Sequence, residues 1–322
     1  MKGYIPLIFL AVLNTSCRGD QMPADFTIIA LPDTQNYVSN QGGGTPEIFD
    51  AQTRWIVENR DSLNIVFVTH LGDFVQNGDS IEAEWVVAER AISILEDPET
   101  TGLSDGIPYG IALGNHDQSP FGDADGTTAA YNQRLGVERF ESRSYYGGHF
   151  GANNDNHFEL FSASGYDFVF LHLEYDPEVG PDVLTWADSV LSSHPERFAL
   201  LSTHYLIGLG NPAPFGGQGQ KIYDALKHHP KFIMMFGGHV AGDVGEGQRT
   251  DVFETGVVHS LLSDYQSYAN GGDGWLRIIQ FSPSQNIVSI KTFSPTTNGG
   301  RGGFMRDENS EFDLSVIFTP TN

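Results

Sequence analysis

The sequence predicts an α/β fold in which two β-sheets pack together with helices outside. Strand-like and helix-like segments alternate from residue 26 to about 245. From about residue 249 the apolar period changes to two, the spacing of a run of β-strands. Alternation followed by a strand-rich end is the pattern of two layered sheets, and no internal repeat interrupts it.

The elements follow in order. "DFTIIALPD" is a strand, and "EIFDAQTRWIVENR" has helical spacing at Ile48, Trp55, Ile56 and Val57. "NIVFVTHLGD" reads as a buried strand, "SIEAEWVVAERAISIL" as an amphipathic helix and "IPYGIALGNHD" as another strand. "HFELFSA" and "YDFVFLHLEY" flank "SGYD"-type turn residues and predict a hairpin. The helix "VLTWADSVLSSH", the strand "RFALLSTH", the helix "QKIYDALKHH" and the strand "KFIMMFGGH" come next. "TDVFETGVVHSLL", "GWLRIIQFS", "NIVSIKTFS" and "FDLSVIFTP" are β-strands, and Gly-rich loops lie between elements at "NQGGGTP", "GNPAPFGGQGQ" and "TTNGGRGG". Residues 26–322 are expected to form a single domain that includes the β-rich C-terminal part.

The chain has 322 residues, 39% of them hydrophobic, and a net charge of −24. Only 17 Lys and Arg are present, so no basic face is available to neutralise a nucleic-acid backbone. The acidic balance instead concentrates divalent cations near the surface. At the N-terminus, Lys2 precedes an apolar run from Ile5 to Leu13, too short to span a bilayer. Residues 1–17 read as an export signal and 18–25 as a linker. Cys17, the chain's one cysteine, has no disulfide partner, and its position resembles a bacterial lipoprotein signal in which it is lipidated. The expected location is therefore outside the cytoplasm, with membrane attachment only through Cys17. Asn14 stands where such signals usually carry Leu, which leaves cleavage without lipidation as the alternative.

Five strands end in residues that can hold metal. They are Asp33 with Gln35, Asp73, Asn115 with His116 and Asp117, His204, and His239. The carboxyl ends of parallel strands share one sheet edge, so these distant residues are expected to converge. Each piece alone is commonly a turn or a hydrogen-bonded core histidine; the coincidence of five is what points to a site. Carboxylates, carboxamides and imidazoles together suit divalent ions such as Mn, Fe or Zn.

"PDTQ", "GD", "GNHD", "TH" and "GH", in this order, resemble the calcineurin-like metallophosphoesterase superfamily, which includes purple acid phosphatases. "LPDTQ", "GHV" and "SDYQSYANGGDGWLR" also resemble a secreted bacterial subgroup. The resemblance implies a four-layer α/β/β/α sandwich of two mixed sheets flanked by helices, with two divalent metal ions at the strand ends. It implies that Asn115, His204 and His239 hold the second ion and that Asp73 bridges both. The first ion would use Asp33, Asp73 and the residue two after Asp33. Here that residue is Gln35, and Ala241 stands where a last histidine ligand is expected. Gln35 can offer its carbonyl oxygen, which gives an oxygen-rich site suited to Mn²⁺, Mg²⁺ or Ca²⁺. Asp243 reads as a turn residue, with a role as substitute ligand as the alternative.

The resemblance further implies hydrolysis of a phosphate mono- or diester through a metal-bridged hydroxide. His116 would donate a proton to the leaving oxygen, with Asp117 orienting its ring. The expected partner is a small-molecule, glycan or lipid phosphoester. A non-catalytic, metal-containing surface binding protein on the same fold is the competing reading, and a carbohydrate-handling surface protein a third. The pair His116 and Asp117 favours the enzyme, since a binding module has no use for a proton donor beside its metals. "DADG" at 123–126 reads as a turn and His70 as a core histidine that supports ligands rather than one of them. Tyr145, Tyr146, Tyr265 and Trp275 are candidate cleft residues with packing as the default role; Arg143 and Arg301 are candidate phosphate contacts.

Overall fold

The computed structural model describes residues 24–78 and 80–319. The apolar N-terminal run and Cys17, read above as an export signal, lie outside the described residues. In chain order the strands are β1 (Phe26–Leu31), β2 (Ile65–His70), β3 (Tyr109–Ile111), β4 (Tyr146–His149), β5 (His157–Ala163), β6 (Tyr166–Leu173) and β7 (Phe198–Thr203). There follow β8 (Phe232–Gly237), β9 (Glu246–Phe253), β10 (Gly256–Ser263), β11 (Leu276–Ser282), β12 (Ile287–Ser294), β13 (Gly303–Phe304) and β14 (Glu311–Ser315).

They form two seven-stranded sheets. The first runs β13-β12-β11-β1-β2-β3, with β14 also on β12; the second runs β4-β5-β6-β7-β8-β10-β9. β1, β2 and β3 are parallel to one another, as are β6, β7, β8 and β10, and the remaining pairs are antiparallel. The strand-rich end thus splits: β9 and β10 extend the second sheet, whereas β11 pairs with β1 and carries β12 to β14 into the first. The hairpin of β5 and β6 turns at Ser164 (φ 52°) and Gly165 (φ 84°), the two left-handed residues of a tight two-residue turn.

Three apolar clusters fill the three interfaces of a four-layer α/β/β/α sandwich. Between the sheets, Phe26, Phe67, Phe161, Phe168, Phe170, Phe236 and Phe281 interlock. Fully burying one such ring stabilises the fold by roughly 1.5–3 kcal/mol. Helices Pro46–Asn59 and Glu82–Ser93 pack Phe49, Ile56, Trp85 and Ile92 on the outer face of the first sheet. Helices Pro181–Ser193 and Gly217–Leu226 pack Leu191, Ile222 and Leu226 on the second. In β6 the alternation is plain, with Phe168 and Phe170 facing the first sheet and Val169 and Leu171 facing the helices. With both faces of each central strand covered, polar side chains that reach solvent are left to the strand ends.

Candidate metal centre

The expected convergence occurs, with one difference of architecture. The five strand ends do not share one sheet: β1, β2 and β3 belong to the first sheet and β7 and β8 to the second. Stacking the sheets brings their carboxyl ends to a common rim. Asp73 stands at its centre. Its Oδ2 lies 3.2 Å from His204 Nε2 and 3.9 Å from His116 Nε2. Asn115 Oδ1 lies 3.0 Å from His204 Nε2 and 2.8 Å from His239 Nδ1. The His239 amide donates to Asp33 Oδ2 at 3.4 Å, and the Gln35 amide to the Asp73 carbonyl at 3.1 Å. Ligand atoms of Asp73, His204 and His239 all fall within 4.8 Å of one another.

The motif residues have local reasons. Asp73 (φ 49°) and His239 (φ 74°) both hold left-handed backbone, a costly state for residues other than Gly and one that collects at functional sites. A Cβ on Gly114 would lie 2.3 Å from Asp73 Oδ1, and one on Gly238 would lie 2.3 Å from Asp33 Oδ1. The glycines of "LGNHD" and "GGH" are therefore where backbone must approach a carboxylate. His70 fastens two of these loops, as its supporting role predicts. Its Nε2–H donates to Thr34 Oγ1 at 3.1 Å, Thr34 passes its own proton to the Phe74 carbonyl, and His70 Nδ1 accepts the Gly72 amide at 3.3 Å. His204 Nδ1–H donates to the Leu71 carbonyl at 2.8 Å, which turns Nε2 to the rim.

The rim is crowded with charge. Burial alone would lower the His204 imidazole, but the carboxylates of Asp73 and Asp33 outweigh it and push it up to about 10. Burial lowers His239 to about 4, with the neighbouring His204 charge acting the same way. Asp33 is raised well above the carboxylate range by burial, then by the charges of Asp264 and Asp73. Several carboxylates desolvated at one point are unfavourable unless a cation joins them.

Asp264 was not among the residues expected from sequence. It follows β10, which pairs in parallel with β8, so it occupies a sixth strand end on the same rim. Its carboxyl is pushed up to about 6, chiefly by burial. It accepts from the Gln266 amide at 3.0 Å and from Gln266 Nε2 at 2.9 Å, and Gln266 Oε1 in turn accepts from Gln35 Nε2. This chain leaves Gln35 Oε1 buried without a partner, as is Asp33 Oδ1. Two orphaned oxygens beside Asp73 fit an oxygen-preferring cation. Ala241 is half-buried and Asp243 exposed on the turn after β8, so the extra carboxylate at the rim comes from β10.

His116 and Asp117 part company with the expected pairing. Asp117 is fully buried, and its carboxylate accepts the backbone amides of Phe74, Val75 and Gly114 at 3.2, 3.0 and 2.9 Å. It braces the "GD" and "GNHD" loops and does not orient the His116 ring. That ring is held by Gln76, whose carbonyl lies 2.8 Å from His116 Nδ1. Phe121 packs edge-on against it at 4.5 Å, and Gln76, Gly78, Gln118, Ser119 and Phe121 line an open groove beside it. Tyr175 and Tyr205 lie 5.2 and 5.0 Å from the His239 ring. The tyrosines singled out from sequence take the packing role: Tyr145 and Tyr265 are buried, and Tyr146 stacks on Phe140. Arg143 is committed to Glu96 and the Asp105 carbonyl, and Arg301 lines a groove with Trp55 and Phe293.

The sequence model of the calcineurin-like phosphoesterase family matches residues 26–298. The chain is 33% identical over 326 residues to uncharacterized protein YvnB of Bacillus subtilis (strain 168), covering 96% of this chain and 23% of that protein. It thus spans about a quarter of its relative. Among solved structures, GAP50, the anchor in the inner membrane complex of Plasmodium, superposes with a TM-score of 0.51 at 12% identity, over 92% of this chain and 89% of that one. A dimetal phosphatase from Danio rerio superposes with a TM-score of 0.50 at 14% identity, over 92% of this chain and 100% of that one. At these identities the two structures share the fold.

Proposed function

The chain belongs to the calcineurin-like phosphoesterase family, and on that premise we propose that it hydrolyses a phosphate mono- or diester with two divalent ions at the rim. The observation that carries the reading is the donor set around Asp73. On one side stand Asn115, His204 and His239, joined through the Asn115 carboxamide; on the other are the unpartnered oxygens of Asp33 and Gln35. Asn115, His204 and His239 would hold one ion, Asp33 and Gln35 the other, with Asp73 shared. When bound, such ions supply positive charge that acidifies water and stabilises the transferring phosphoryl group.

The chain's own residues would do the rest. His116 presents Nε2 toward Asp73 while its Nδ1–H donates to the Gln76 carbonyl, so the doubly protonated ring holds its second proton on Nε2, at the rim, for the leaving oxygen. Phe121, Tyr175 and Tyr205 give apolar and aromatic surface around that point, which suits the organic part of a phosphoester. The same proposal places the protein outside the cytoplasm, attached to a membrane only through a lipid on Cys17, and acting on a small-molecule, glycan or lipid phosphoester. The test is turnover of a panel of aryl phosphate mono- and diesters before and after chelation. Chelation is expected to abolish hydrolysis and Mn²⁺ to restore it; full activity in protein shown to be metal-free by elemental analysis overturns the proposal.

A further inference from the structure

Between the sheets, His157, Glu159 and His172 stand in an apolar layer rich in phenylalanine. His157 and His172 face each other directly across β5 and β6, and Glu159 lies two residues along β5 on the same face. All three are completely shielded from solvent. The His172 ring stacks on Phe170 at 4.6 Å. Nothing in the reaction proposed for the rim uses them.

Their hydrogen bonds run outward. His157 Nδ1 lies 2.8 Å from the Asn154 carbonyl, which only a ring N–H can satisfy, so in the neutral ring Nε2 carries the lone pair. That Nε2 is 3.4 Å from Glu159 Oε1. His172 Nε2 is 3.1 Å from the Thr69 hydroxyl, and its Nδ1 is 2.9 Å from Glu159 Oε2. Neither contact to Glu159 is aligned as a hydrogen bond. His157 Nε2, His172 Nδ1 and both Glu159 oxygens are left buried and unpartnered. Donor atoms this close yet misaligned with one another are what results when all aim at a common point between them.

We propose that His157 Nε2, Glu159 and His172 Nδ1 hold a zinc-class divalent ion at a structural site separate from the rim. Two imidazoles and a carboxylate are an established zinc donor set, and a ligating histidine whose other nitrogen donates to a carbonyl is its usual support. The ion neutralises a carboxylate that is otherwise buried without a counter-charge. The surrounding backbone is shaped to these atoms: a Cβ on Gly110 of β3 would lie 2.4 Å from His172 Cε1 and 2.8 Å from Glu159 Oε2. All three ligands belong to the second sheet, so the ion would tie β5 to β6, and the first sheet meets the site through Thr69 on His172 Nε2 and through Gly110.

The proposal does not rest on activity at the rim, and its test reads metal content and stability. In the full chain, Asp73→Asn with His204→Ala removes the rim's shared ligand and an imidazole of its nitrogen half. Elemental analysis of the desalted double variant is expected to find about one zinc per chain, lost when Glu159→Gln is added. Should Glu159→Gln fail to fold, the double variant itself is stripped with a strong chelator and its thermal midpoint followed; the midpoint is expected to fall and to recover on adding Zn²⁺. A folded double variant free of metal, with a midpoint indifferent to Zn²⁺, overturns the proposal. In that case a proton shared with Glu159 satisfies the three side chains.

Discussion

Two halves of the rim meet at Asp73 and differ in the atoms they offer. Toward the second sheet are His204 and His239, both touching the Asn115 carboxamide, a compact set rich in nitrogen. Toward the first sheet are Asp33 and Gln35, with Asp264 close enough to raise the Asp33 carboxyl, and every side-chain donor is an oxygen. The nitrogen half ties itself together without help. In the oxygen half a relay, Asp264 to Gln266 to Gln35, engages the Gln35 side-chain NH2 and leaves its carbonyl oxygen buried without a partner. Under the proposed two-ion reading, the oxygen half has no imidazole at Ala241 and gains the Asp264 carboxylate from a neighbouring strand, which changes which metals fit.

If Asp73 joins the halves, its loss should be the most damaging change. Asp73→Asn is expected to lower turnover by about 10⁴-fold or more and to weaken both ions, since it removes shared charge worth several kcal/mol at about 1.36 kcal/mol per tenfold. Steady-state kinetics with metal analysis checks this, and loss of only one ion would separate the halves. His116→Ala should act on chemistry alone. Turnover of esters with poor leaving groups is expected to fall by roughly 10²–10³-fold, with less effect on activated aryl esters and no change in metal content. Equal losses across leaving groups would remove His116 from the proton-donor role.

Smaller effects should fall on one half only. Asp264→Asn cuts the relay's charge and is expected to weaken Mn²⁺ at the oxygen half by about 10–100-fold while sparing the nitrogen half. Competition titration with a fluorescent chelator reads that directly. Ala241→His adds an imidazole near the oxygen half and is expected to tighten Zn²⁺ there by at most about tenfold, ~1.4 kcal/mol. Unchanged constants in a folded variant would mean that residue 241 does not reach the metals.

Much of this rim was legible because each of five strands ends abruptly in a polar residue after an apolar run. The rule missed Asp264 for a physical reason. Residues 250–262 alternate with period two, which reads as part of a run of β-strands without naming their partners, and only the long-range parallel pairing of β10 on β8 makes Ser263 and Asp264 another strand end. The Gln76 hold on His116 bridges 40 residues and leaves no trace in composition. Asp117 was drawn to its neighbour by adjacency in "GNHD", whereas the three amides around it had no other acceptor in a buried turn. "HFELFSA" gave a correct strand, but alternation cannot say which face turns inward. His157 and Glu159 lie on the inter-sheet face together with Phe161, and Phe158 and Leu160 meet the helices. With both faces covered, polarity no longer marks the outside.

The unequal rim is tested most directly by calorimetric titration of Mn²⁺ and Zn²⁺ into the full chain after dialysis against a mild chelator, compared with His239→Ala. The structure predicts two classes of site: one tight for Zn²⁺ and lost in His239→Ala, and one weaker, better filled by Mn²⁺ and retained in that variant. A single class of site, or the loss of both classes together in His239→Ala, would contradict it.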